Sequence, residues 1–246
     1  MRIIISPAKK MRVDTDSLPW QDLPAFLPDT EYLASILQKM DRMELKKLWK
    51  CNDSITKTNV ERLANMDLCS RLTPALLAYE GIQYQYMAPS VFSHEEFDYV
   101  QEHLRILSGF YGILKPFDGV TPYRLEMQAK LKVGQGRDLY DFWGSSLAEQ
   151  LVSETDCIVN LASKEYSKCI EKYVGKGDLF VTCIFGELID GKVVQKGTLA
   201  KMARGEMVRF LAENQVDTLE DVKQFQGLGY HLSEELSSAK EFVFIK

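Results

Sequence analysis

Cysteine and histidine are scarce in this chain, and those present are scattered. Cys51, Cys69, Cys157, Cys169 and Cys183 are odd in number and form no Cys-x-x-Cys pair. His94, His103 and His231 make no ligand spacing with them. This argues against a zinc site and against a disulfide framework, so reduced thiols and no metal are expected. No apolar run approaches the roughly 20 residues that a membrane helix needs, so no membrane partner is expected. Arg2 is followed by only Ile3, Ile4 and Ile5 before Ser6-Pro7, too short for the apolar region of a signal peptide, so a cytoplasmic chain is expected. The G-x-G-x-x-G fingerprint, the P-loop, H-E-x-x-H and the G-x-S-x-G elbow are all missing, so no standard cofactor is expected. There is also no excess of positive charge. The formal net charge of -5 leaves only a locally basic cleft as a route to nucleic acid.

What is present is an ordinary globular composition, 46% hydrophobic and 26% charged, with enough chain to bury a large core unaided. Arg2 to Ser6 reads as a short buried strand stopped by Ser-Pro. Asp29 to Lys50 and Ser54 to Asn65 carry apolar residues at helical spacing. Thr73-Pro74 predicts a capped helix closed by Gly81. Ser93-His94-Glu95-Glu96 is a capping-box pattern. Phe97, Val100, Leu104 and Leu107 continue it on one face to Gly109. Leu139 to Ser153 reads as helical, Cys157 to Leu161 as a buried strand, and Lys164 to Tyr173 as a helix. Phe180 to Lys196 predicts a hairpin turning at Asp190-Gly191. Thr198 predicts the cap of a further helix, Thr218 to Phe225 a short one, and Glu241 to Ile245 a last strand. Helices and short strands alternate without repeat or linker. The expectation is one mixed α/β (α+β) domain over 1–246, a mixed β-sheet surrounded by helices.

The stretch from Leu107 to Met127 is the most informative. It is too rich in Gly, Pro and aromatics for a regular helix or strand, yet it holds Lys115, Arg124 and Glu126 among large apolar side chains. Charges in such company need partners or a ligand. The plainer reading is a connection whose aromatics fill a core. If Tyr123 to Met127 is extended, Arg124 and Glu126 share a face. They then form a structural ion pair, or Arg124 grips an anion with Glu126 orienting it.

Two buried strands end alike, in Ser6-Pro7-Ala8-Lys9 and in Asn160-Leu161-Ala162-Ser163-Lys164-Glu165-Tyr166. Ligands of open α/β sheets bind at the carboxyl ends of strands. Ser163 at a helix start either caps that helix or helps to hold an anion there. Lys201 and Arg204 lie three apart on one helix face, for which a solvated surface is the simpler reading. Gly205 inside that helix costs stability relative to Ala, which hints at close approach of another backbone or a ligand.

These segments, together with Leu139-Tyr140-Asp141-Phe142-Trp143-Gly144 and Arg209, resemble the YaaA peroxide-stress family in order and spacing over essentially the whole chain. The resemblance implies a bacterial protein that supports peroxide resistance by lowering free intracellular iron and so limiting oxidative DNA damage. It implies a positively charged cleft, a helix-hairpin-helix element and duplex DNA binding. Carried onto this sequence, the hairpin would be Leu104 to Lys115, with Gly109 and Gly112 in the turn and Arg105 and Lys115 as its cations. The cleft would gather Lys9, Arg124, Ser163, Lys164, Lys201, Arg204 and Arg209. Where the family has Gly-Asp-Val-Tyr, this chain reads Gly81-Ile82-Gln83-Tyr84. A ligand or metal contact by that Asp would be lost here, so no metal is assigned.

Two functions of different class follow. One is a stress protein binding duplex DNA through the hairpin and cleft. The other is an enzyme acting on a small anionic ligand, nucleotide-like or carboxylate-bearing, with Lys9, Lys164, Tyr166 and Glu126 as candidate catalytic groups and Arg124 on the anion. Direct iron sequestration lacks an evident ligand cluster. Direct thiol sensing rests only on Cys169 lying near Lys168 and Lys172 in sequence.

Overall fold

Three consecutive isoleucines, Ile3 to Ile5, are wholly buried at the centre of the molecule. They belong to β1 (Arg2–Ile5), and an apolar run covered on both faces is what a central parallel strand requires. The structure is a computed structural model that describes residues 1–175 and 177–246. β1 lies between β2 (Leu104–Ser108) and β4 (Cys157–Asn160), parallel to both. β3 (Gly112–Leu114) closes one edge antiparallel to β2. On the other side β4 pairs in parallel with β5 (Leu179–Ile189), which carries the antiparallel β6 (Lys192–Val194). Then come β8 (Glu241–Ile245), parallel to β5, and β7 (His231–Leu232), antiparallel to β8. The sheet order is β7-β8-β5-β4-β1-β2-β3, the mixed sheet that the alternation predicts.

Helices cover this sheet. α1 (Leu27–Leu37) and α2 (Arg42–Trp49) replace the single helix predicted from Asp29 to Lys50. The break is a capping box that the apolar spacing conceals. Asp41 Oδ1 accepts from Met43 N and Glu44 N at 2.7 and 2.8 Å, while Glu44 Oε2 accepts from Asp41 N at 2.8 Å. α3 (Asp53–Ala64) follows. Thr73-Pro74 is extended and pairs with Gly119-Val120, so α4 is one turn, Ala75–Ala78. Gly81 opens α5 (Ile82–Met87) rather than closing a helix. α6 (His94–His103) has the predicted capping box, with Ser93 N donating to Glu96 Oε2 at 2.8 Å. Gly144, at φ +50°, divides α7 (Leu139–Trp143) from α8 (Ser146–Glu154). α9 (Lys164–Glu171), α10 (Gly197–Glu213) and α11 (Leu219–Val222) complete the set. The predicted hairpin turn is present, with Asp190 and Gly191 both at positive φ. Among the described residues no helix is long and apolar enough to cross a membrane.

The segment Leu104 to Lys115 departs most from expectation. It is not a turn between two helices but the β-hairpin β2–β3, with Gly109 to Tyr111 as its loop. The apolar spacing that extends α6 on paper continues into a buried strand, which periodicity alone does not distinguish from a buried helix. Gly109 and Gly112 are buried, so no phosphate reaches their N–H groups. Gly109 lies against the backbone of residues 125–127, and Gly112 (φ +73°) against Trp143 and Phe26. Arg105 is 3% exposed. Its Nε and Nη2 bond Glu154 at 2.8 and 2.7 Å, and its Nη1 donates to the carbonyls of Leu104 and Gln101 at 2.7 and 3.1 Å. That guanidinium serves the interior, not a surface.

Lys115 is exposed beside a separate cavity of about 270 Å³ that also holds Asp22, Asp118, Arg105 and Glu154. Burial pushes the Asp118 carboxyl up to about 7, with Asp22 adding repulsion and the Lys115 N–H opposing at 2.8 Å. A carboxyl raised in the fold favours the native state at low pH. That advantage fades as pH rises from the unfolded carboxylate range toward 7. Asp118→Asn is therefore expected to flatten the fall in stability between pH 5 and 8, removing about 2–3 kcal/mol of it. Urea melts of both proteins at several pH values check this, and parallel curves would refute it.

Candidate functional site

The carboxyl ends of β1 and β4 open into a cavity of about 370 Å³. The chain leaves β1 through Ser6 because Pro7 cannot extend the ladder. Ser6 then ties the two strand ends together. Its Oγ accepts from Ser163 N at 2.8 Å and donates to Ser163 Oγ at 3.2 Å. Its carbonyl accepts from the Tyr84 hydroxyl at 3.1 Å. Ser163 stands at the N-terminus of α9 but makes no side-chain cap. Asn160 is buried at the end of β4 and closes its turn, accepting from Ala162 N at 2.9 Å.

A second wall is the segment 123–126. Tyr123 is held by hydroxyl bonds to Tyr79 at 2.8 Å and Ser108 at 2.6 Å, and it stacks on Phe110. Gly109 packs directly under the backbone of residues 125–127, where any Cβ would lie within 3 Å of the Leu125 carbonyl oxygen. The aromatics of the central stretch thus fill core, and in doing so they fix Arg124 and Glu126 at the cavity. Arg124 Nη2 meets Glu126 Oε1 at 3.2 Å, and Lys9 Nζ meets Glu126 Oε2 at 2.7 Å. The ion-pair reading of Arg124 is realised. Its Nε is nevertheless buried without a partner among the described residues.

The third wall is a helix pair that sequence reasoning reached only through one glycine. α10 crosses α5 so closely that a Cβ at Gly205 would run into the Gln83 carbonyl and lie 3.0 Å from Met87 N. This contact brings Lys201 and Arg204 of α10, and Ile82, Gln83 and Tyr84 of α5, to the same cavity. Lys201 is exposed at the cavity mouth, as the solvated reading expects, but Arg204 on the same face is not. Arg204 is deeply set, and its Nε has no partner among the described residues. Burial lowers its pKa, with the nearby Cys183 opposing. Ile82, the position that departs from the resemblance, lines the cavity as well.

Glu165, in the first turn of α9, also faces the cavity. Its carboxyl is held above the usual range by burial and by the charge of Glu126, against a 3.3 Å bond from Gln128 N and the charges of Lys9 and Lys168. Burial likewise raises Tyr166 far above a free phenol, so its hydroxyl stays protonated.

Of the residues singled out in the sequence, the cavity gathers Lys9, Arg124, Glu126, Ser163, Tyr166, Lys201 and Arg204. It does not include Lys164, whose ammonium pairs with Glu171 at 2.6 Å, or Arg209, which pairs with Glu213 at 2.7 Å. Both turn away from it: Lys164 is next to the lining residue Glu165 but about 100° round the helix, and Arg209 lies five residues beyond the lining residue Arg204. Ser6, Glu165, Gln83, Lys10 and Glu80 join the site. Gly205 was the signal in the residues themselves that pointed toward the Gln83 wall, beside the departure at Gly81-Ile82-Gln83-Tyr84 from the family pattern. Cys169 is buried and pushed up to about 12, with its thiol on the Tyr166 carbonyl at 2.8 Å, which disfavours a reactive thiolate.

A family model described as "Peroxide stress protein YaaA" matches residues 1–236. A UPF0246 protein of Agathobacter rectalis is 56% identical over 244 residues, covering 99% of this chain and 98% of that protein. A UPF0246 protein of Lachnoclostridium phytofermentans is 55% identical over 246 residues, covering 100% and 96%. A UPF0246 protein of Pediococcus pentosaceus is 52% identical over 246 residues, covering 100% and 98%.

Proposed function

The chain belongs to the YaaA family of peroxide stress proteins, and we propose that it serves that response by binding a small anionic ligand at the carboxyl ends of β1 and β4. In this reading the lowering of free iron and the sparing of DNA are consequences of what happens to that ligand. The supporting observation is Arg204. A guanidinium set deep in a cavity, with no carboxylate paired to it among the described residues, is costly unless something else supplies the charge. Lys201, Arg124 and the Ser163 hydroxyl, whose proton is not used on Ser6, can complete the anion's contacts.

Isothermal titration with inorganic phosphate, pyrophosphate and dicarboxylates tests the proposal. Arg204→Met should weaken the bound anion by at least about tenfold, or 1.4 kcal/mol. The same substitution should leave the melting temperature unchanged or raised, because it removes an unpaired buried charge. A fall in stability with anion binding intact would assign Arg204 to the scaffold instead. Duplex DNA is a second reading, favoured by one observation. Lys9, Lys10 and Lys201 are exposed around the mouth. In that reading, replacing all three by Glu weakens duplex binding and flattens its salt dependence.

A further inference from the structure

The walls of the cavity differ in hydrogen-bonding character. The α5–α10 side is rich in nitrogen donors. Arg204 and Lys201 come from α10, and Gln83 adds an Nε2 that is buried without a partner among the described residues. Gln83 is 7% exposed, so that amide has no ready access to bulk water. On the opposite side, Glu126 and Glu165 present acceptors. Glu126 is spent on Lys9 and Arg124, whereas Glu165 uses Oε1 on Gln128 N and leaves Oε2 without a hydrogen bond among the described residues. The two sides do not neutralise each other. Among the described residues no carboxylate pairs with Arg204, while Glu165 feels chiefly its own burial, Glu126, Lys9 and Lys168. The same cavity is lined by Tyr84, Tyr123, Tyr166, Ile82 and Leu125.

A bare phosphate or short dicarboxylate would satisfy the donor side and leave Glu165 and the aromatic middle empty. The complementary molecule has an anion at one end, a flat apolar body and N–H groups at the other. We infer that the ligand is a nucleoside 5′-monophosphate, its phosphate on Arg204, Lys201 and Gln83 and an N–H edge of its base on Glu165. This rests on the anion-binding reading above and adds the ligand's class. The volume of about 370 Å³ falls in the lower part of the range for small-ligand pockets, suiting one such molecule. Aromatic walls favour a planar base. A carboxyl that holds its proton more readily than usual can both give and take a hydrogen bond at a base edge.

The test is calorimetric titration of the full chain with AMP, GMP, CMP, UMP, ribose 5-phosphate and inorganic phosphate. At least one nucleotide should bind about tenfold or more tighter than ribose 5-phosphate. Glu165→Gln should bring that nucleotide close to ribose 5-phosphate while leaving ribose 5-phosphate unchanged. The wild-type comparison decides the matter even if the variant folds poorly. Ribose 5-phosphate binding as tightly as all four nucleotides would overturn the nucleotide assignment and leave the anion site standing. No binding by any of the six would remove both.

Discussion

Gly205→Ala is expected to lower stability by about 3 kcal/mol or more, beyond the usual range for a one-methyl change. In an open helix the same substitution would stabilise by up to about 1 kcal/mol, because Ala is the better helix former. The sign reverses here because the new methyl has nowhere to go. It would overlap the Gln83 carbonyl and press on Met87 N, both backbone atoms of α5. Rotamer change cannot relieve a backbone clash, so the two helices must separate. Separation exposes Ala203, Met207 and Val208, which are wholly buried. It also draws Lys201 and Arg204 away from Ser6 and Arg124, so ligand binding should fall with stability. Gly197→Ala is the internal control. It lies at the start of the same helix with nothing within 4 Å of the added methyl. Paired urea denaturation should show the two glycines moving stability in opposite directions. Similar small effects would mean that α5 and α10 are not locked at this crossing.

The same glycine shows how much of the site the sequence discloses. Its poor fit to a helix signals a close neighbour, but not which one. Several local signals were read correctly. Ile3 to Ile5, Cys157 to Asn160 and Glu241 to Ile245 are strands as predicted, and Ser93 caps its helix, whereas Thr198 lies inside α10 behind the cap position Lys196. These readings depend on neighbours in sequence, and so does the pairing of Arg124 with Glu126. Errors arose where tertiary contacts override spacing. Leu104 and Leu107 fit a helix stripe, yet they pair with β1 and β3 in a strand. Ser163 has the sequence of a cap, but Ser6, 157 residues away, takes its hydrogen bonds. Gln83 and Glu165 lie inside segments that the sequence singles out, but nothing in those segments marks either as a site residue. Only the crossing of α10 over α5, and the adjacency of β1 and β4, make them neighbours of Arg204 and Lys9.

Arg105→Met is expected to cost about 3 kcal/mol, and Arg105→Glu about 5 or more, enough to lose the fold of many domains. Methionine removes the double contact with Glu154 and leaves the carbonyls of Leu104 and Gln101 without their donor. Glu154 retains Arg2 at 2.9 Å, which keeps the loss moderate. Glutamate instead sets a new carboxylate against Glu154 in the buried cluster, where like charges are least screened. The pH dependence separates this account from simple loss of packing. Burial pushes the Glu154 carboxyl up, but bonds from Gln150, Arg105 and Arg2 outweigh it, so its pKa lies below the ordinary value. A lowered carboxyl contributes stability above the unfolded carboxylate range, and that stability is lost as pH falls through its folded pKa. Arg105→Met should shrink this acid limb. It should also extend the Asp118 limb above pH 7, because the Arg105 charge is one of the groups holding Asp118 down. Urea melts from pH 3 to 9 would show both changes together, and a uniform drop at every pH would reduce Arg105 to a packing residue. Reversal of Arg105 is therefore a poor probe of nucleic-acid binding, since lost affinity would report lost structure. The exposed lysines at the cavity mouth can be reversed without entering the core.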